Sequence, residues 1–168
     1  MAGAAAQIQS VNVTLRSWPE GCRVILLASA DRNVSGGTWG HDLVVKADAS
    51  DGAGALNALN AVQIARTRAS RNNAPLLASA WDVGSPTLAD IDATTKFASF
   101  RYHVKVPASA GIHTVKIALA WDSKITLDAA GVAMASTLAN DLDLIVLDNN
   151  GLQVASSASY DNMSRKTT

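Results

Sequence analysis

The spacing of hydrophobic residues changes near Pro75, and this change limits the folds open to the 168-residue chain. Up to about Arg71, apolar residues recur at the three- and four-residue intervals that place them on one face of a helix. Beyond Ala74-Pro75 they alternate with polar or small residues, as a half-buried strand requires. The sequence therefore predicts an α-then-β architecture, with Thr67 to Pro75 as the linker.

Two helices are predicted before residue 31. Residues 2–15 are rich in Ala and carry one apolar stripe, formed by Ile8, Val11 and Leu15. Ser17-Trp18-Pro19-Glu20 has the S-x-x-E form of a capping box and places Pro19 in a first helical turn, where no intrahelical N–H is needed. A second helix is therefore expected from about Trp18 to Ala30.

A third helix is predicted after Gly54 and is expected to end near Arg66. Its apolar residues are Leu56, Leu59, Val62 and Ile64. Residues 31–51, which carry Gly36-Gly37 and Gly40, are expected to form a loop with a short strand at 43–45.

The second part of the chain predicts at least five strands in an antiparallel sandwich or barrel. Alternation is clearest in 114–121, and 97–106 and 142–147 show the same pattern. Asp148-Asn149-Asn150-Gly151 is a turn signal between 142–147 and a following strand at 152–157, because Asn and Gly tolerate positive φ.

Charge and composition exclude several classes of protein. The 14 basic residues balance the 14 acidic ones, so no field gathers nucleic acid, and neither nucleic acid nor a membrane is an expected partner. One cysteine, Cys22, cannot form an intrachain disulfide, and the apolar run at 24–28 is far shorter than a membrane span. The first residues lack the features of a secretory signal.

Several segments resemble subtilisin-like serine peptidases. Residues 1–6 are similar to the start of the helix that follows the G-T-S-x-A-x-P segment with the nucleophilic serine. Trp18-Pro19-Glu20, Arg23 and 26–30 resemble the next helix of that family, and 51–58 resembles the G-x-G turn that opens its closing helix. The resemblance implies that 1–71 form the C-terminal helical part of a subtilase catalytic domain.

Two strand segments resemble the jelly-roll domain that some subtilases carry after the catalytic domain. Leu119-Ala120-Trp121-Asp122 is similar to L-x-W-x-D, and Leu138 to Leu144 is similar to L-V-N-D-L-D-L. The resemblance implies that 72–168 form a β-sandwich of the jelly-roll type, incomplete because its last strands are expected after Thr168.

The chain contains none of the D-T-G, H-G-T and G-T-S-x-A segments that supply the family's Asp, His and Ser triad. The resemblance therefore implies a C-terminal fragment of a serine endopeptidase whose partners are the rest of the protease chain and a protein or peptide substrate. A secreted or extracellular location is implied by the resemblance alone. This polypeptide by itself is expected not to hydrolyse peptide bonds.

Asp141 and Asp143 are the candidate metal ligands. At i and i+2 on a strand both carboxylates leave the same face, where they repel unless solvent or a cation lies between them. Hard oxygen ligands suit structural calcium, and the resembled jelly rolls often hold it; Asp161 and Asn162 could add ligands. The other interpretation is a solvated strand face without metal.

Other candidate residues have simpler structural explanations. His41 has no serine in a recognisable nucleophile turn nearby, and His103 and His113 fall on predicted strands at positions that fit exposure to solvent. Gly52-Ala53-Gly54 fits a helix-opening turn, and Cys22 fits a buried apolar site. Arg66, Arg68 and Arg71 complement a helix C-terminus, and Trp81 and Trp121 fit the core of the sandwich. A rival function for 76–168 is a non-catalytic, calcium-stabilised binding module, and a fragment without independent activity is the third interpretation.

Overall fold

The structure is a computed structural model that describes residues 1–31, 53–69, 71, 79–106, 108, 115–122, 124–137, 142–157 and 164–167. Helices come first and antiparallel strand pairs follow, which confirms the α-then-β prediction. The expected loop over 31–51 and most of the expected linker lie outside the described residues.

The first helix, α1, spans Ala2–Val11 and is shorter than predicted. Asn12 is extended, with φ −143°, and its side chain accepts a hydrogen bond from the Thr14 backbone N–H. This bond competes with continuation of α1, which ends at Val11. Val13–Ser17 then form a separate 3-10 turn. With the helix interrupted at Asn12, Ile8 and Leu15 are buried and Val11 is exposed.

The second helix, α2, spans Pro19–Ser29 and confirms the prediction for this segment. Pro19 occupies the first helical turn as expected, because its fixed φ suits the helix and its missing N–H has no partner there. The predicted capping box is wrong: the residue that caps the helix is Trp18, without a side-chain bond, and Ser17 belongs to the preceding 3-10 turn.

The third helix, α3, spans Ala58–Arg66 and ends where the sequence predicts. Asn57 caps it by accepting a hydrogen bond from the Asn60 backbone N–H at 2.9 Å. Its buried residues are Ala61, Ile64 and Ala65, while Leu56 and Leu59 are exposed. The buried face is therefore made largely of alanines, which let α1 and α2 pack closely on α3.

One core joins the three helices. Its buried members are Ile8, Leu15, Cys22, Ile25, Ala61, Ile64, Ala65 and Trp81. The Trp81 indole N–H donates to the Ala65 carbonyl at 3.0 Å, and the Trp81 backbone pairs with residues 67–69. The prediction that Trp81 lies in the sandwich core is therefore wrong: it packs among the helices.

In the described part of the chain, six strands form three antiparallel pairs. Strand β1 (Ile117–Ala120) pairs with β6 (Ser164–Thr167), β2 (Lys124–Leu127) with β3 (Ala133–Thr137), and β4 (Leu144–Leu147) with β5 (Gln153–Ser157). The strands predicted at 114–121, 142–147 and 152–157 are thus present with shorter bounds. The strand predicted over 97–106 is wrong: this segment has only isolated bridges, such as that of Ala98 with Ile91.

The β2–β3 and β4–β5 hairpins are built alike. Asp128 and Asp148 begin their turns, and each carboxylate accepts two backbone N–H bonds of 2.8–2.9 Å. Gly131 and Gly151 have φ of 79° and 81°, which glycine adopts without strain. Residues 124–137 and 144–157 also match in sequence at six positions: Ile125/Ile145, Leu127/Leu147, Asp128/Asp148, Gly131/Gly151, Ala135/Ala155 and Ser136/Ser156.

Strand β1 packs against α2 and brings the strand region to the helices. The Lys116 ammonium, just before β1, donates a hydrogen bond to the carbonyl of Ala30, the residue that ends α2. A cation at the C-terminus of a helix also interacts favourably with its dipole. Burial lowers the pKa of Lys116, and the negative charge of Asp31 opposes this shift.

Removing the Trp81 side chain should test whether the helices depend on it. Trp81→Ala is expected to lower the free energy of unfolding by about 3–5 kcal/mol, because it leaves a cavity and removes the hydrogen bond from the indole N–H to the Ala65 carbonyl. Leu59→Ala, at an α3 residue that is 68% exposed, should change it by less than about 0.5 kcal/mol. Urea denaturation followed by circular dichroism measures both, and equal losses would contradict this arrangement.

Candidate functional site

The structure describes only one of the two predicted metal ligands. Asp143 is exposed immediately before β4, and its neighbours Leu142 and Leu144 are half-buried, as the predicted alternation requires. Asp141, Asp161 and Asn162 lie outside the described residues. Among the residues that are described, no three His, Cys, Asp or Glu side chains gather as a metal site would need. The calcium site therefore stays a prediction.

Calcium titration of the full chain tests this prediction. If Asp143 is a ligand, calcium should raise the melting temperature of the wild type, since binding to the folded state stabilises it. Asp143→Asn should weaken binding at least about tenfold by removing a charged ligand. Asp92→Asn, which changes an exposed carboxylate in a separate turn, should bind as the wild type does. A wild type that neither releases heat nor gains stability with calcium would leave the solvated-face interpretation.

The candidate catalytic side chains are not brought together in the described structure. His103 is exposed and makes no hydrogen bond within the described residues, while His41 and His113 lie outside them. Cys22 is buried and its thiol donates to the Leu15 carbonyl at 3.4 Å, which confirms the buried apolar site expected for it. Gly54, with φ 106°, precedes the Asn57 cap of α3, as a helix-opening turn requires.

Two of the three clustered arginines meet at Asp82, which the sequence did not single out. Arg68 Nε lies 3.1 Å from one Asp82 carboxylate oxygen, and Arg71 Nε lies 3.3 Å from the other. The Tyr102 hydroxyl donates to the Arg71-bound oxygen at 2.8 Å. We name Arg68, Arg71, Asp82 and Tyr102 the Asp82 cluster. Asp82 lies 14 residues after Arg68, and Tyr102 lies 20 residues after Asp82, so no local pattern could predict that these groups meet.

Stacking holds both guanidinium groups in place. The Arg71 guanidinium lies 4.2 Å from the centre of the Phe100 ring, and that of Arg68 lies 5.6 Å from the Trp81 ring. Arg71 also donates to the Val83 carbonyl at 3.2 Å. It also lies so close to Gly84 that a Cβ there would clash with Nη2. A side chain at residue 84 would therefore displace the guanidinium from its present position.

The titration of the cluster follows from these bonds. Burial alone would raise the pKa of Asp82, but hydrogen bonds from Tyr102, the Val83 backbone and the two arginines outweigh it and lower the pKa. Burial and the hydrogen bond to Asp82 raise the pKa of Tyr102 to about 12. At neutral pH the carboxylate is therefore ionised and the phenol protonated. An open cleft of about 430 Å³ lies beside the cluster, lined by Arg68, Ala69, Arg71 and Asp82.

A second electrostatic feature lies where α2 meets β1. Glu20, the only glutamate in the chain, is in the first turn of α2, and Asp122 is two residues beyond β1. Hydrogen bonding to the Asp122 carboxyl, burial and the negative charge of Asp122 raise the pKa of Glu20. Within the described part of the chain, the Glu20 Oε2 atom is buried without a hydrogen-bond partner. At neutral pH the two carboxyl groups therefore repel each other at this contact.

The Asp122→Asn variant should reveal this repulsion. Because the folded-state pKa of Glu20 is raised, its contribution to stability is full below the unfolded pKa of about 4.3 and is lost as pH rises through the folded value. The variant should melt about 1–3 °C higher than the wild type at pH 7 and should depend less on pH between about 4 and 7. Asp92→Asn, the control, should keep the wild-type pH dependence between about 5 and 7, where Asp92 is ionised in both the folded and the unfolded state. A variant that melts lower than the wild type at pH 7 would refute the repulsion.

The hydrogen bonding of the Asp82 cluster favours binding. Asp82 already accepts from four donors, so it has little capacity to act as a base or nucleophile, whereas its arginines retain N–H donors.

In the described residues, no helix is both long and apolar enough to cross a membrane. No protein-family model, curated protein or solved structure matches the chain.

Proposed function

We propose that the chain is the C-terminal part of a subtilisin-like serine endopeptidase and supports the catalytic groups without supplying them. The observation that carries the proposal is the match between each resembling segment and its element. Residues 1–6 enter α1, Trp18-Pro19-Glu20 begins α2, and the described end of 51–58 leads into α3. Leu119-Ala120-Trp121-Asp122 falls at the end of β1, and the segment ending at Leu144 leads into β4.

The packing of α1 supports a structural role beside a nucleophile. Its buried residues are Ala4 and Ile8, and it packs against the alanine-rich face of α3. In the resembled enzymes the nucleophilic serine directly precedes this helix, so α1 would fix the position of that serine through its contact with α3. The N-terminal end of the helix dipole would then favour negative charge developing at the reacting carbonyl.

The reaction itself requires groups that these 168 residues do not supply. Peptide hydrolysis by a serine enzyme needs a base within hydrogen-bond reach of the nucleophile and donors at the oxyanion position. Under the proposal, upstream segments provide the serine, histidine and aspartate, and residues 1–71 complete the domain that holds them. The strand region, proposed as part of a jelly-roll sandwich, would then follow the catalytic domain as an accessory unit.

A fluorophosphonate probe, which labels activated serines covalently, tests the proposal. The 168-residue chain should remain unlabelled. A longer product of the same reading frame should be labelled through a serine upstream of Met1, and replacing that serine by Ala should abolish labelling. An upstream reading frame without G-T-S-x-A, H-G and D-x-G segments would refute the proposal directly.

A matched pair of variants then tests the role of α1 in the longer product. Ala4 is 8% exposed on α1, which packs against α3, so Ala4→Leu should overpack its buried surroundings and slow labelling at least about tenfold. Ala6 is exposed on the same helix, and Ala6→Leu should label at the wild-type rate. Equal rates for the two variants would contradict a role of this helix in positioning the serine.

A further inference from the structure

We infer that the cleft beside Arg68 and Arg71 binds a carboxylate group, presented by a peptide terminus, an acidic side chain or a small organic acid. This inference does not depend on the protease proposal, because every group that carries it lies within the described chain. The site is built from the Asp82 cluster and the residues that hold its two guanidinium groups.

The two guanidinium groups are fixed before any ligand arrives. Arg71 lies between the Phe100 ring and the Gly84 backbone and also donates to the Val83 carbonyl. Arg68 lies over the Trp81 ring, and Trp81 is itself anchored in the helical core. A receptor that is ordered in advance loses less conformational entropy on binding, which favours capture of a small ligand.

The charge of the cluster favours a monovalent anion. Two guanidinium groups face one carboxylate, Asp82, whose side chain is 8% exposed and already accepts from Tyr102 and both arginines. Asp90 is the next acidic group that acts on Arg71, but it is held by the Thr87 N–H and hydroxyl. In the described structure Asp90 forms no ion pair with either arginine. The two arginines and Asp82 by themselves carry one net positive charge, which a carboxylate can balance.

The bonding capacity of the arginines points to the same ligand. Nε of each arginine donates to Asp82, and Nη2 of each donates to the Val83 carbonyl. Among the described residues, Nη1 of neither arginine has a protein acceptor. The Arg68 side chain is 51% exposed, and the cleft of about 430 Å³ is open to solvent. A carboxylate can enter and accept the charge-assisted bonds that a planar guanidinium offers.

Nuclear magnetic resonance of the arginine Nε–H groups tests the site in the full chain. Acetate is the probe, titrated at constant ionic strength against chloride, and inorganic phosphate is titrated in parallel. Acetate should shift the Arg68 and Arg71 signals saturably, with a Kd on the order of 10 mM. A stronger response to phosphate than to acetate would overturn the preference for a monovalent carboxylate. An equal response to chloride, or no saturable shift, would overturn the site.

Two variants of equal charge separate the site from a general charge effect. Arg68→Gln should weaken acetate binding at least about tenfold. Arg66→Gln, which removes the same charge from an exposed residue at the end of α3, should leave it unchanged. Arg68→Lys, which keeps the charge but loses the planar fork, should bind more weakly than the wild type. Equal effects of Arg66→Gln and Arg68→Gln would refute the inference; should Arg68→Gln fail to fold by circular dichroism, the wild-type titration decides.

Discussion

The burial of Trp81 is the contact on which the rest of the described structure depends. A buried tryptophan contributes a large apolar area, and here Trp81 belongs to the core that residues of α1, α2 and α3 form. Its indole N–H satisfies the Ala65 carbonyl near the end of α3, and its backbone pairs with 67–69. The segment around Trp81, which follows the helices in sequence, is thereby held against them. Asp82, the next residue, is consequently placed where it collects Arg68, Arg71 and Tyr102.

The contact between α2 and β1 also joins the helices to the strand region. Its electrostatic interactions are favourable at one end and unfavourable at the other. At one end, the Lys116 ammonium meets the carbonyl that ends α2, which is a favourable arrangement for a cation. At the other, Glu20 and Asp122 bring two carboxyl groups together, and the pKa of Glu20 rises. The helices and β1 are therefore held by packing and by Lys116, while the acidic pair makes the contact sensitive to protonation.

Local interactions account for most of what could be predicted. The Pro19 start of α2, the end of α3 at Arg66 and the Asp148–Gly151 turn each depend on residues close in sequence, and all three are present. The errors arise where a competing local bond or the wider structure prevails. Asn12 divides the predicted first helix, and the packing of α3 on α1 and α2 buries its alanines rather than Leu59.

The candidate sites differ in the same way, because one depends on local sequence and the other on long-range contacts. Asp143 follows from alternation alone, and its solvent-exposed position before β4 agrees with the pattern. The Asp82 cluster does not follow from any local pattern, because its members come together across 14 residues from Arg68 to Asp82 and 20 residues from Asp82 to Tyr102. The sequence by itself determined the order of helices and strands and the positions of the tight turns, since these depend on hydrophobic period and backbone preference. Only the tertiary structure decided that Trp81 belongs to the helical core and that two arginines share Asp82, because long-range burial and charge pairing leave no period in the sequence.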